Sequence, residues 1–124
     1  YNDHVDANPE VTYAGLLQLA ELKGVAWVHA IRMASTGIDS LALTRAHYSG
    51  ALIGSDSYTA EEAETSIGDG LVDAVSFGRL YIANPDLVER FKRGGPFNEM
   101  DKRTIYGGEG AAGYCDYPML SGDA

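Results

Sequence analysis

The sequence predicts an α/β fold made of parallel βα units, and three observations carry that expectation. Strand-like and helix-like stretches alternate along the chain. The strand-like ones, residues 25–31, 51–54 and 74–77, are short and almost continuously apolar, as strands covered on both faces are. Helix-opening signals follow the second and third of them, which gives right-handed crossovers and a parallel sheet. Three strands in 124 residues are fewer than half of a TIM-type (β/α)8 barrel, which takes eight units in about 250 residues. A three-stranded parallel sheet on its own would leave two apolar edges open. The arithmetic therefore favours a portion of a barrel, with a small independent α/β sandwich as the alternative. A start at Tyr1, with neither Met nor a signal segment, fits a piece of something longer.

In chain order, Asn8 reads as the N-cap of a first helix, with Pro9 at its first position and Glu10 beside the positive end of the dipole. Val11, Leu16, Leu17, Leu19, Ala20 and Leu22 supply its apolar residues, and Lys23-Gly24 a stop. The first strand, Val25 to Ile31, follows. A short helix spans Asp39 to His47, and Ala51-Leu52-Ile53-Gly54 is the second strand. Thr59-Ala60-Glu61-Glu62 is a capping box that opens a helix ending near Gly68-Asp69-Gly70. Ala74-Val75-Ser76-Phe77 is the third strand, and Leu80 to Ala83 an apolar turn. Asn84-Pro85-Asp86 repeats the Asn-Pro-acid signal before a helix over Leu87 to Lys92, stopped by Gly94-Gly95-Pro96. From Asn98 onward the chain is rich in glycine and tyrosine. Tyr106, Tyr114 and Tyr117 are costly to leave in water, so this tail is expected to pack on something.

Composition narrows the function. Nine Lys+Arg against 18 Asp+Glu give a net charge of −9, which argues against nucleic acid and against an anionic membrane surface as partners. No apolar run approaches the ~20 residues of a spanning helix. Cys115 is the single cysteine, which excludes an intrachain disulfide and fits a reducing, cytoplasmic setting. His29, inside a strand, reads as a hydrogen-bonded core histidine. Asp3, His4 and Asp6 read as solvent-facing loop residues, so no metal site is assigned.

Chemistry concentrates at two strand ends. The second strand runs into Gly54-Ser55-Asp56-Ser57-Tyr58-Thr59 and the third into Gly78-Arg79. In βα barrels the loops after the last two strands form a frequent phosphate site, where glycine lets the backbone approach and N–H groups face the ligand. Arg79 reads as the one full positive charge at either end, a fork suited to phosphate oxygens. The plainer reading makes Gly78 a turn and Arg79 a surface ion pair.

Ser76 to Arg90 reads Ser-Phe-Gly-Arg-Leu-Tyr-Ile-Ala-Asn-Pro-Asp-Leu-Val-Glu-Arg. It is followed by Tyr106-Gly107-Gly108 and by Gly113-Tyr114-Cys115-Asp116-Tyr117-Pro118. These motifs strongly resemble the C-terminal third of the Old Yellow Enzyme family, flavin-dependent ene-reductases on an eight-stranded βα barrel. The likeness runs from the helix before the sixth strand to the end of the chain. It implies that residues 1–124 are strands six to eight and the tail of a flavin-binding (β/α)8 barrel, completed by an N-terminal barrel segment or a second chain. It implies FMN as cofactor, with the phosphate on the backbone of Ser55, Asp56 and Ser57 after strand seven and on Gly78 and Arg79 after strand eight. NAD(P)H is the implied reductant, and a small activated alkene the implied substrate. Tyr114 matches the aromatic residue that lines the family's substrate pocket.

In that family the proton donor and the groups that hold the substrate carbonyl lie on earlier strands, so no catalytic residue is expected in this stretch. Asp56 departs from a position where many members have glycine. Two unit charges about 4 Å apart repel by about 4 kcal/mol near a protein surface, so Asp56 can meet a phosphate only through its N–H. The loop from Arg32-Met33-Ala34 onward lacks the Glu-Pro-Arg of some members and receives no role. Two other readings remain: a different phosphate-binding barrel of isomerase or aldolase type, and a non-catalytic βα module that associates through its apolar edges as an oligomer.

Overall fold

The computed structural model describes residues 6–32, 37–107 and 110–120. The elements are α1 (Pro9–Leu22), β1 (Trp27–Ile31), α2 (Ser40–His47), β2 (Ala51–Ser55), α3 (Ala60–Gly68), β3 (Ala74–Val75), α4 (Arg79–Ala83) and α5 (Leu87–Arg93). The strands form one parallel sheet in the order β1-β2-β3, with Ile53 opposite both His29 and Ala74. Two compact units, Tyr1–Ser76 and Phe77–Ala124, divide the chain and are described separately. No helix among the described residues is long and apolar enough to cross a membrane.

In the first unit, helix signals act largely as read. The capping box is complete: Thr59 Oγ1 accepts from the Glu62 N–H at 3.1 Å, and Glu62 Oε2 accepts from the Thr59 N–H at 3.0 Å. Asp39 caps α2 through Ala42. Asn8 takes the N-cap position as read, with Pro9 opening the helix. Its side chain makes no cap bond, and its N–H donates to the Asp6 carboxylate at 2.9 Å, so the turn before α1 is closed from outside the helix. Arg45 ties down the N-terminal ends of β2 and β3 by donating to the carbonyls of Leu71 and Gly50 and to the Asp73 carboxylate. Asp73 in turn accepts the Leu52 N–H.

Among the described residues the sheet is covered on one side only, which corrects the expectation of strands buried on both faces. Leu52 and Gly54 are buried with Leu17, Leu41, Tyr48 and Val72 on the helix side. Strand alternation sends Trp27, His29 and Ile31 the other way, where Trp27 is 54% and Ile31 43% exposed. Leu16, Leu19 and Leu22 of α1 are likewise exposed. The strand β3 is shorter than expected: Ser76 still donates its N–H to the Gly54 carbonyl, but strand geometry ends at Val75.

In the second unit, the residues expected as an apolar turn form most of α4. Asn84 caps the C-terminus of α4 rather than opening α5, whose N-cap is Asp86. The Asn84 carboxamide ties the segment together instead. Its Nδ2 donates to the Leu80 carbonyl, and its Oδ1 accepts the Asn98 N–H at 2.7 Å. Asn98 reaches on to the carbonyls of Ala83 and Pro118. Beside it, buried Arg90 pairs with Asp86 at 2.6 Å and donates to the carbonyls of Pro96 and Pro118. Phe77, Phe91 and Phe97 pack next to one another with tilted rings. The tail is thus anchored at residues 117–120, with the Tyr117 hydroxyl accepting from the Asp101 N–H. Tyr106 and Tyr114 stand out from the unit, 96% and 82% exposed, contrary to the expectation for the tail.

Candidate functional site

Ser55 closes β2 at the C-terminal end of the sheet, the end where parallel βα proteins place their ligands. Asp56 and Ser57 follow with φ of +82° and +55°. A non-glycine residue in this region costs about 1–2 kcal/mol, so two in succession need support from outside the loop. Arg32, directly after β1, provides it. Its main-chain N–H donates to the Ser55 carbonyl, its Nε to that of Asp56 and its Nη2 to that of Ser57, at 2.9, 2.9 and 2.8 Å. The guanidinium carbon lies 3.7 Å from the centre of the Tyr58 ring. Nη2 also meets Glu62 Oε2 at 2.6 Å. The Thr59 N–H, and after it the Arg32 guanidinium, hold the Glu62 carboxyl below its ordinary range, so it remains the charged partner at neutral pH.

Arg32 corrects two expectations at once. It has a role, and Arg79 is not the one full positive charge at these strand ends. A charged residue immediately after a strand is the signal that could have found it. Met33 and Ala34, which continue that loop, lie outside the described residues, as do Asp3 and His4. Gly54 is fixed by packing: a Cβ there would lie 2.8 Å from the Tyr58 hydroxyl and 3.1 Å from Val72. The Asp56 carboxylate accepts the Ser57 hydroxyl at 3.1 Å. On the open face of the sheet, His29 Nε2 lies 2.8 Å from Ser76 Oγ. His29 is hydrogen-bonded as read, but exposed rather than core.

In the second unit, Gly78 and Arg79 are consecutive at the head of α4, both exposed. Gly78 has φ −87°, which any residue adopts, and a Cβ on it would meet nothing within 4 Å. Neither its backbone nor its neighbours ask for glycine. Gly113 differs: φ is +69° and a Cβ would collide with the Thr104 hydroxyl, so the approach to Tyr114 is fixed in shape.

No protein-family model matches the chain. It is 34% identical over 115 residues to a 12-oxophytodienoate reductase-like protein of Solanum lycopersicum, covering 93% of the chain and 32% of that relative. It is 30% identical over 131 residues to 12-oxophytodienoate reductase 2 of Arabidopsis thaliana, covering 100% of the chain and 35% of that relative. The structure of the old yellow enzyme from Trypanosoma cruzi matches 94% of the chain and 32% of its own length, with a TM-score of 0.86 and 42% identity. Sequence and fold alike are those of the Old Yellow Enzyme family. Morphinone reductase matches 94% of the chain and 32% of its own length, at a TM-score of 0.84 and 38% identity.

This Old Yellow Enzyme-family chain therefore spans about a third of the length of the proteins it matches. Within the motif that carried the resemblance, Asn84, Asp86 and Arg90 build the buried polar network of the second unit. Gly78 and Arg79 open the same motif at its exposed end.

Proposed function

We propose that this chain is the part of an FMN-dependent ene-reductase that holds the flavin phosphate, as strands six to eight and the tail of a (β/α)8 barrel. The observation that carries the reading is Gly78: a glycine that nothing in its unit requires, followed by Arg79, in a chain of this family. Close approach by another group is a reason for it that remains. The donor chemistry of these residues suits a phosphate. Backbone N–H groups at Ser55, Asp56, Ser57 and Gly78 supply partial positive charge, and Arg79 supplies a full charge with a two-pronged fork. When bound, FMN would take a hydride from NAD(P)H and pass it to the β-carbon of a small activated alkene. Tyr114, exposed in the tail, lines the substrate side. The chain contributes no proton donor; that group belongs to the N-terminal barrel segment or second chain that completes the site. Trp27 and Ile31 on the open sheet face, and Leu16, Leu19 and Leu22 on α1, are apolar surface for such a completion to cover.

A native mass spectrum of the chain purified with the rest of its barrel is expected to show both segments and one FMN, with visible flavin absorbance. A barrel of isomerase or aldolase type would carry no flavin. A stable oligomer of this chain alone, without flavin, would support an association module instead. Tyr114→Ala in the completed enzyme should change substrate affinity or selectivity and leave the flavin content nearly unchanged. Loss of flavin at constant selectivity would make Tyr114 a structural residue.

A further inference from the structure

Arg32 is held from several sides, and each contact bears on the loop that follows β2. Through one main-chain and two side-chain nitrogens it takes the carbonyls of Ser55, Asp56 and Ser57 in succession. A trans peptide points its N–H opposite to its C=O. The N–H groups of Asp56, Ser57 and Tyr58 therefore face away from Arg32. Two of these residues keep positive φ, which persists only where the surroundings over-determine it. Buried Tyr58 lies under the guanidinium, and Glu62 fixes its outer edge from within the capping box. Glu62 also balances the charge of Arg32, so Arg32 acts through the shape of the loop rather than as a second counter-charge.

We propose that Arg32 is a positioning residue of the phosphate site: by gripping three consecutive carbonyls it aims the N–H groups of residues 56–58 at the FMN phosphate. The proposal rests on the phosphate reading of residues 55–57 and 78–79. Lysine cannot replace it, because an ammonium on a flexible stem lacks the fixed spacing of Nε and Nη2.

The test measures the affinities of the completed apoenzyme for FMN and for riboflavin, which lacks the phosphate, in the wild type, Arg32→Lys, Arg32→Ala and Arg79→Ala. The expected result is a fall of about tenfold in the preference for FMN over riboflavin in both Arg32 variants, the loss of about one hydrogen bond to a charged group. The phosphorus resonance of bound FMN should shift in Arg32→Lys, while riboflavin affinity holds. Equal loss of both flavins would make Arg32 a purely structural residue and overturn the proposal. An unchanged preference in Arg32→Lys, with the preference collapsed in Arg79→Ala, would overturn it while leaving the phosphate reading intact. An unchanged preference in Arg79→Ala as well would remove the phosphate reading, and the proposal with it. Should Arg32→Ala fail to fold, Arg32→Lys decides alone.

Discussion

Arg90→Ala should destabilise the protein by about 3–5 kcal/mol, the cost of removing one partner from a buried ion pair. Arg90 is 2% exposed and makes three bonds, to the Asp86 carboxylate and to the carbonyls of Pro96 and Pro118. Truncation would strip the Pro96 carbonyl of this donor and leave Asp86 with the Leu120 N–H and the Pro118 carbonyl with Asn98 Nδ2. Arg90→Met should recover little, since it fills space but leaves the carboxylate buried. Pairing it with Asp86→Asn should recover part of the loss. Urea unfolding of the three variants beside the wild type checks this, and a loss below about 1 kcal/mol for Arg90→Ala would place the pair on the surface in energetic terms. The pH dependence has a definite sign. Arg90, and after it the Leu120 N–H, hold the Asp86 carboxyl below its ordinary value. A carboxyl depressed in the folded state adds stability above its unfolded pKa, near 3.9, and that contribution disappears as the pH falls through the lower folded value. The gap between wild type and Arg90→Ala should therefore narrow on acidification below about pH 4.

Arg79→Ala should weaken FMN binding by about tenfold to a hundredfold, the span expected for hydrogen bonds to a charged group. An FMN phosphate is close to dianionic, and on the proposed reading it would meet a chain of net charge −9. Backbone N–H groups offer partial charge only, and the guanidinium of Arg32 is already committed to Glu62 and the loop carbonyls. Arg79 carries a full charge on a fork suited to two phosphate oxygens. Arg79→Lys should restore part of the affinity, because it returns charge without the fork. Flavin titrations of the completed apoenzyme check both variants. Full rescue by lysine would show that charge alone matters at this position.

The alternation of elements, the capping box at Thr59 and the stop at Gly94 were legible because local backbone chemistry decides them: a side chain bonds a nearby N–H, or a glycine takes φ of +72°. Burial was not. Trp27 and Ile31 sit in a strand as apolar as a buried one, but a sequence does not say which layer covers which face. Asn84 misled for a related reason. Asn before Pro is a good helix opening, yet its carboxamide is spent on Leu80 and on Asn98, fourteen residues away, and only the folded chain shows that partner. At the candidate site, the proposal of Gly78 and Arg79 after β3 rests on residue type and motif. Arg32 offered only its place directly after a strand as a signal, because its partners are three carbonyls more than twenty residues downstream. The positive φ at Asp56 and Ser57 was hidden as well, since neither is glycine.

Whether this chain holds a flavin by its phosphate is tested most directly by side-by-side titration of wild type and Arg79→Ala with FMN and with riboflavin. The wild type should bind FMN much more tightly than riboflavin, and Arg79→Ala should lose most of that preference while binding riboflavin as before. Equal affinity of the wild type for the two flavins, or an equal loss of both in Arg79→Ala, would contradict it.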